Sequence, residues 1–443
     1  MLSSIEKLPS IFEVIDNDLC IACGACIEAC IFTNISPSYS EKRGAHEVRI
    51  DDSTKCLECH MPCDAPCPSI RVDFRNTVSQ RNVKGVKVEF SKRGGGIKST
   101  YLAYSSEHRN GGISSSGGVI REMICHQLEL GTPVVCLAVD PDDGQLKARL
   151  LTELSEIKYV PGSIYNSISF VGAIDCLRKA TKPVMLVSIP CHLAGVKQYI
   201  REVEPKLQNK IDVVCGIVCG WMYSDHSIKA FTEFKNIQGD VTSISYRGSD
   251  RVGQLQLTVD EKVHSFARKN FSTFNEAIDY QSAFSTDYNR LRCRLCEDHL
   301  NQSADLIAGD AWLQRTIKDK VSILGIRTEK GNDLILEMIK TKRLGVEEGS
   351  FEDFIESQSA NLVYNFEARK MSTSLRQKGK LVPEFMFDDW CEEINVSIVD
   401  NLNLLMEFLR RALIREKKYR TYRWFYIIRR YRVLLGFIKK MIM

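Results

Sequence analysis

Eight of the chain's 17 cysteines fall between Cys20 and Cys67, and this crowding constrains the N-terminal fold more than any hydrophobic pattern does. Cys20, Cys23, Cys26 and Cys30 form a C-x2-C-x2-C-x3-C run. Cys56, Cys59, Cys63 and Cys67 form a C-x2-C-x3-C-x3-C run with Pro68 directly behind it. Three thiolates on a tight loop, with a fourth arriving from elsewhere, suit a 4Fe–4S cube. Structural zinc instead takes C-x2-C pairs separated by a dozen or more residues. Disulfides belong to oxidising compartments. Residues 1–19 show no apolar h-region of a secretory leader, and no uncharged apolar run is long enough for a membrane span. The expected location is therefore cytoplasmic.

The two runs together resemble the bacterial two-cluster ferredoxins, in which the fourth cysteine of each run serves the other cluster. That resemblance implies one cluster on Cys20, Cys23, Cys26 and Cys67, and another on Cys56, Cys59, Cys63 and Cys30. Two departures stand out: Ile31 replaces the proline expected after the first run, and the second run carries one extra residue.

From Tyr101 the pattern changes. Apolar, β-branched strands such as VVCLAVD, VMLVS and IDVVCGIV alternate with helical stretches such as VIREMICHQLELG and SDHSIKAFTEFKN. Strand–helix alternation predicts an α/β domain with a largely parallel sheet. The adjacent strands VTSISYR and QLQLTV predict an antiparallel hairpin, and hence a mixed sheet. The expected fold class is α/β with a mixed sheet, plus an N-terminal α+β ferredoxin-like domain and a helical C-terminal tail. The corresponding boundaries are 1–81 for the ferredoxin-like domain, 82–98 for a linker, 99–345 for the α/β domain, 346–400 for a segment packed on it, and 401–443 for the tail.

Loops of the α/β region carry the informative residues. The GGISSSGG stretch, with Ser114, Ser116, Gly117 and Gly118, lies between a strand and a helix, where backbone amides can cradle an anion. In SIPCHLAGVK, Cys191 opens a helix, a position that lowers a thiol pKa. Cys215 ends a strand and Cys219 follows four residues later. Cys293 and Cys296 form a C-x2-C pair, the only pair among these that spacing alone supports as metal ligands. Cys191 and Cys215 read equally well as buried apolar residues.

Taken in order, SSGGVIREMICHQLELG, GSIYN (Gly162–Asn166), VSIPCHLAGVKQYI, DVVCGIV, CRLCEDHLNQSADLIAGDAW and VSILGIRTEKG resemble the motifs of the beta subunits of deazaflavin (coenzyme F-420) hydrogenases and dehydrogenases, from about Ser99 to Ile339. The departures resemble a divergent bacterial branch found with surface-polysaccharide genes. The resemblance implies a flavin- and iron–sulfur-dependent oxidoreductase. It places flavin, FAD before FMN, at Ser114, Ser116, Gly117, Gly118, Gly162, Ser163, Tyr165 and His192. It places a third cluster on Cys191, Cys215, Cys293 and Cys296, leaving Cys219 out. Ile164 stands where the motif has lysine, His192 where it has glutamine, and Ala311 where it has phenylalanine.

The chain's net charge of +4 is unevenly spread. Residues 410–443 hold twelve Lys or Arg and one acid, Glu416, giving +11 and leaving −7 for the rest. Trp424, Ile428, Tyr431, Leu435, Ile438 and Ile442 share one helical face, with Arg429, Arg430 and Lys440 opposite. A basic amphipathic helix with aromatics predicts an anionic membrane surface on the inner face of the membrane. Docking on the chain's own body or on a partner is the alternative; no nucleic-acid recognition fold accompanies the charge. The expected function is electron transfer between a ferredoxin-type donor or acceptor, or another oxidoreductase subunit, and an unidentified organic substrate. A flavin would match one-electron clusters to a two-electron substrate. The alternative is a noncatalytic electron-transfer or assembly subunit whose α/β domain docks a partner.

Overall fold

The computed structural model describes residues 10–59, 62–75, 89–91, 94–109, 113–247, 253–269, 271–316, 319–387 and 394–428. An eight-stranded sheet organises them. Its strands are β1 (Ser99–Ser105), β2 (Val134–Val139), β3 (Leu146–Leu151), β4 (Val184–Ser188), β5 (Ile211–Ile217), β6 (Leu306–Asp310), β7 (Ser322–Ile326) and β8 (Leu344–Gly349). They lie in the order β8-β1-β7-β6-β5-β4-β2-β3. The central four, β6, β5, β4 and β2, are mutually parallel. The flanking strands run antiparallel to their neighbours on both sides. Every residue of β4 and β7 is buried, which is why their sequences read as unbroken apolar runs rather than alternating ones.

Each face of the sheet is covered by helices. On one face, α1 (Val119–Glu129) packs Met123, Ile124 and Leu128 against Val187, Val213 and Leu324. On the other, α2 (Pro190–Glu202) packs Leu193, Val196 and Tyr199 against Leu186, Val214 and Ile307. The sheet is mixed, as expected, but for a different reason. The hairpin of Val241–Ser245 and Gln254–Val259 joins Lys262–Ala267 in a separate three-stranded sheet. The antiparallel character of the main sheet comes from β1, β3, β7 and β8. Position 345 lies inside β8, so the α/β unit continues past the boundary expected there. The next segment is helical, Phe351–Ser357 and α3 (Ser359–Gln377), and Phe354 is fully buried in the main core.

The N-terminal region shares that core. Two short helices, Ile11–Asp16 and Ala25–Ala29, and an antiparallel hairpin, Ile35–Ser40 with Ala45–Ile50, surround the cysteine runs. Ile11, Cys23, Ala25 and Cys26 belong to the same apolar cluster as Leu193 and Val196 of α2. Arg71–Asp73 pairs in parallel with Glu384–Met386 from far down the chain. Of the expected linker, Glu89–Ser91 forms a short hairpin with Gly95–Ile97.

The tail begins with α4 (Ile398–Arg415), capped by Ser397 and Asp400 in a reciprocal box. Lys417, at φ +56°, breaks the helix, and residues 419–428 resume it. Trp424 and Ile428 are described, whereas Tyr431, Leu435, Ile438, Ile442, Arg429, Arg430 and Lys440 lie outside the described residues. What is described docks on the body. Tyr419, Tyr422 and Tyr426 are buried against Ile228, Phe231 and Tyr288. Arg410 donates to both Asp287 oxygens (2.8 and 3.2 Å), and Tyr422 donates to Asp287 Oδ2 (2.9 Å). Glu407 accepts from Arg411 (2.9 Å) and Arg294 (3.3 Å). Burial alone would raise the Glu407 carboxyl, but Arg411 and Arg294 hold it down at about 2. Removing one member of a buried pair strands the other, so Asp287→Ala is expected to destabilise the chain by about 3–5 kcal/mol. Anaerobic urea unfolding measures this; a change below about 1 kcal/mol would show that the tail docks without energetic consequence.

Candidate metal centres and the adjoining cavity

The first cysteine loop is curled by two left-handed residues, Ala22 (φ +52°) and Gly24 (φ +84°). A Cβ on Gly24 would lie 2.9 Å from Val171 Cα, so only glycine allows the loop to press against the sheet domain there. The curl turns Cys20, Cys23 and Cys26 inward, all buried. Burial pushes the Cys26 thiol well up, and Cys23, Cys67, Cys20 and, least of them, Cys63 push it further. Cys67 comes from the second run into this set. Cys30 leaves it: the Asn34 backbone N–H donates to Cys30 Sγ (3.2 Å), and Asn34 Nδ2 lies 3.5 Å from Cys56 Sγ. Burial raises Cys63 to about 12, and its thiol neighbours are Cys30 and Cys59. These neighbours suit the crossed groups expected from the two runs, Cys20, Cys23, Cys26 and Cys67 in one, and Cys30, Cys56, Cys59 and Cys63 in the other. The first is fully buried, whereas three of the second are only half-buried.

A third group forms where β4 and β5 end. Cys191, Cys219, Cys293 and Cys296 line one small cavity together with Ile21, Trp221 and Arg292. This corrects the expected ligand set. Cys215 lies within β5 beside Val213 in the alternation, so the pleat turns it to the opposite face. There it is fully buried among Val213, Leu306 and Ala308, and burial raises its thiol to about 12. Cys219 lies just past the carboxyl end of the strand, where open α/β sheets place their sites. That rule was the signal available for finding it. The expected lowering of the Cys191 pKa is also overturned: burial, then Cys219 and Cys293, push it well above its ordinary value. The helix N-terminus does not offset the loss of water. All-thiol donor sets suit iron–sulfur centres. Buried thiols with raised pKa values, packed against one another, need a bound cation to hold the thiolate form that ligates. In all three groups the side chains present fit 4Fe–4S clusters.

The first and third groups are physically joined. Ile21, next to Cys20, forms part of the wall of the third cavity. His192 Nε2 lies 3.2 Å from Ile21 O. A Cβ on Gly195 would lie 2.7 Å from Cys23 Sγ.

Beside the third group lies a larger cavity of about 430 Å³. Its floor is the carboxyl ends of β4, β5 and β6, at Ser188, Ile217 and Gly309. It shares Cys219, Trp221 and Met222 with the four-thiol cavity. Trp221 has φ +106°, a conformation that costs a bulky residue on the order of 1–3 kcal/mol. Tyr364 holds its ring at 3.7 Å between centroids, and Arg294 lies over it at 5.5 Å.

Ser114, Ser116, Gly118, Gly162, Ser163 and Tyr165 all line this cavity. Gly117 does not. Its N–H donates to Ser322 Oγ (3.1 Å), and a Cβ would lie 2.8 Å from Ser322 N, so its role is packing against β7. His192 is also absent from the wall. It is fully buried, stacked on Phe170 at 5.2 Å, and burial lowers it to about 4, leaving a neutral ring at the junction with the N-terminal region. Its position in the first turn of α2 directs it toward Ile21 rather than the strand ends. Sequence reasoning missed Arg247 and Arg268, which line the cavity. Arg247 donates to Asp310 (2.7 Å), Tyr165 OH (3.2 Å) and Ser115 O (2.9 Å). Arg268 lies over the Tyr165 ring at 5.4 Å. The motif around Asp310 and Trp312 could have pointed to this wall; nothing local marks the arginines.

Residues 181–350 match the family model for the C terminus of the coenzyme F420 hydrogenase/dehydrogenase beta subunit. Residues 13–32 match a 4Fe-4S binding domain. The chain is 23% identical over 389 residues to the F subunit of the F(420)H(2) dehydrogenase of Methanosarcina mazei, covering 79% of this chain and 99% of that one. A chain of the F420-reducing [NiFe] hydrogenase complex from Methanosarcina barkeri superposes with a TM-score of 0.48 at 16% identity, over 64% of this chain and 96% of that one.

The corrected ligand set is directly checkable by anaerobic iron analysis. Three filled sites correspond to roughly twelve irons per chain. Cys219→Ala is expected to lower the count by about four, and Cys215→Ala to leave it unchanged. The reverse result would return Cys215 to the ligand set.

Proposed function

We propose that the chain, whose residues 181–350 match the model for the C terminus of the coenzyme F420 hydrogenase/dehydrogenase beta subunit and whose residues 13–32 match a 4Fe-4S binding domain, is an iron–sulfur flavoprotein subunit of a redox enzyme. It passes electrons between a protein partner and an organic substrate held in the 430 Å³ cavity. The observation that carries this reading is the shared wall: Cys219, Trp221 and Met222 face both the four-thiol group and the cavity. Clusters would supply one-electron transfer, and a flavin would couple it to a two-electron substrate.

The chain's own residues do the rest. The half-buried group of Cys30, Cys56, Cys59 and Cys63 is the one a redox partner can approach. The buried group of Cys20, Cys23, Cys26 and Cys67 excludes water along the route inward. Ser114, Ser116 and Gly118 offer a loop and the start of α1 to an anionic group. Arg247, which donates to Ser115 O of that loop, and Arg268 add positive charge to the cavity wall, suited to phosphates or to an anionic reduced ring. Trp221 and Tyr165 give planar apolar surface for a ring system. Ile164, where the motif has lysine, lines the same cavity without charge and keeps a second reading in play: a noncatalytic electron-transfer or assembly subunit whose α/β domain docks a partner. The basic C-terminal end further supports peripheral attachment to an anionic membrane; among the described residues no helix is long and apolar enough to cross one.

Anaerobic purification with iron, sulfide and flavin quantified together tests the reading. The expected outcome is retained FAD, with Arg268→Ala weakening retention about tenfold or more while the iron content stays constant. A wild-type chain that binds neither FAD nor FMN after reconstitution supports the noncatalytic alternative.

A further inference from the structure

Helix α4 is turned inside out. Its charged residues Glu407, Arg410 and Arg411 are buried against the body by the ion pairs with Arg294 and Asp287. Leu404 and Ile414 are buried with them and Phe408 and Leu413 are half-buried, but its other apolar residues face outward. Ile398, Leu402, Leu405 and Leu409 are 80, 56, 56 and 53% exposed. At 100° per residue these four lie within about 60° of one another. Val399 and Met406, also exposed, widen the stripe. The remaining exposed positions of the helix are Asn403 and Ala412, so the outward face of an 18-residue helix carries no charge. Such a helix is about 27 Å long. A water-facing helix shows the opposite arrangement, with charges outside.

We propose that this stripe is a lipid-contact face that lays α4 on an anionic bilayer surface; the inference rests on the peripheral attachment proposed above and moves its apolar contact from the tail to α4. Three observations select lipid over protein. The face is aliphatic and unshaped, whereas protein hot spots favour Trp, Tyr and Arg in pockets and are poor in Leu and Val. The chain directly after it is cationic: Lys417, Lys418 and Arg420 are exposed, and residues 429–443 add five Lys or Arg and no acid. Trp424 and Phe425 are exposed beside those charges, the residue types that settle at headgroup level. An amphipathic helix lying in the interface buries its apolar face at the headgroup–acyl boundary while basic residues meet anionic lipid.

The test is vesicle co-sedimentation of the full chain, purified anaerobically with its clusters. Vesicles contain either phosphatidylcholine alone or one part phosphatidylglycerol to two parts phosphatidylcholine. The wild type is expected to bind the anionic vesicles and not the neutral ones. The triple variant Leu402→Gln, Leu405→Gln, Leu409→Gln is expected to bind them about tenfold or more weakly, with unchanged iron content and melting midpoint. A variant with five charges removed between Arg429 and Lys440 separates the two ideas. If it loses binding while the triple variant keeps it, the tail attaches the protein and the stripe proposal falls. If the wild type binds neither vesicle, both fall. A melting midpoint lowered by the triple variant, or a concentration-dependent dimer that the variant abolishes, would show the face covered by protein and overturn the proposal.

Discussion

Two guanidinium groups tie the cysteine-rich N-terminus to the sheet domain. Arg290 donates to Cys20 O (2.6 Å) and His46 O (2.9 Å) and pairs with Asp18 at 3.4 Å. Arg292 donates to Pro68 O (2.8 Å). Both are almost wholly buried, and among the described residues the Nε of each finds no partner, so these carbonyls and Asp18 offset only part of the cost of burying the charge. The backbone they grip belongs to both N-terminal cysteine runs. The same short helix, Leu291–Arg294, carries Cys293. One segment therefore fixes the first cysteine group and a ligand of the third in a single frame. Rigid spacing between redox centres needs such a frame, and a flexible linker between domains would not supply it.

The sequence was most legible where residue type and spacing alone carry the chemistry. The eight N-terminal cysteines could be sorted into two crossed groups through their resemblance to two-cluster ferredoxins, and the neighbours of Cys26 and Cys63 suit that sorting. The alternation of strands and helices was enough for the α/β class, and the loop from Ser114 to Gly118 for one cavity wall. What failed depended on direction. Cys215 and Cys219 differ by one turn of a helix or two pleats of a strand, and only the end of β5 decides which side chain reaches the site. His192 and Gly117 sit inside motifs that line the cavity yet point away from it, toward Ile21 and Ser322. Arg247 and Arg268 come from a separate small sheet, and no local pattern brings them to the strand ends. Of the apolar face expected in the tail, Trp424 and Ile428 are exposed, while the body takes Tyr419, Tyr422 and Tyr426 from another face.

The cavity stores strain on one side and charge on the other. Trp221 keeps an unfavourable backbone conformation because Tyr364 and Arg294 hold its ring from behind. Arg247 is fixed by three acceptors on three different segments, Tyr165, Ser115 and Asp310, so its position reports the closure of the whole mouth. A wall assembled from β4, β5, β6, the loop before α1 and the small sheet is insensitive to movement of any single loop. This preorganisation suits the planar group proposed for the cavity.

The pairing of Arg71–Asp73 with Glu384–Met386 has a consequence for biogenesis. Phe74 N donates to Met386 O and Glu384 N to Ile70 O, both at 2.9 Å, so the segment directly after Cys67 is completed by a strand made near the end of synthesis. Contacts of such sequence separation form late. At about 5–20 residues per second the ribosome needs roughly 15–60 s to travel from the last N-terminal cysteine to that strand. Throughout that interval Arg71–Asp73, which begins four residues after Cys67, has no strand to pair with, so the segment carrying Cys67 cannot take its final place until synthesis is nearly complete.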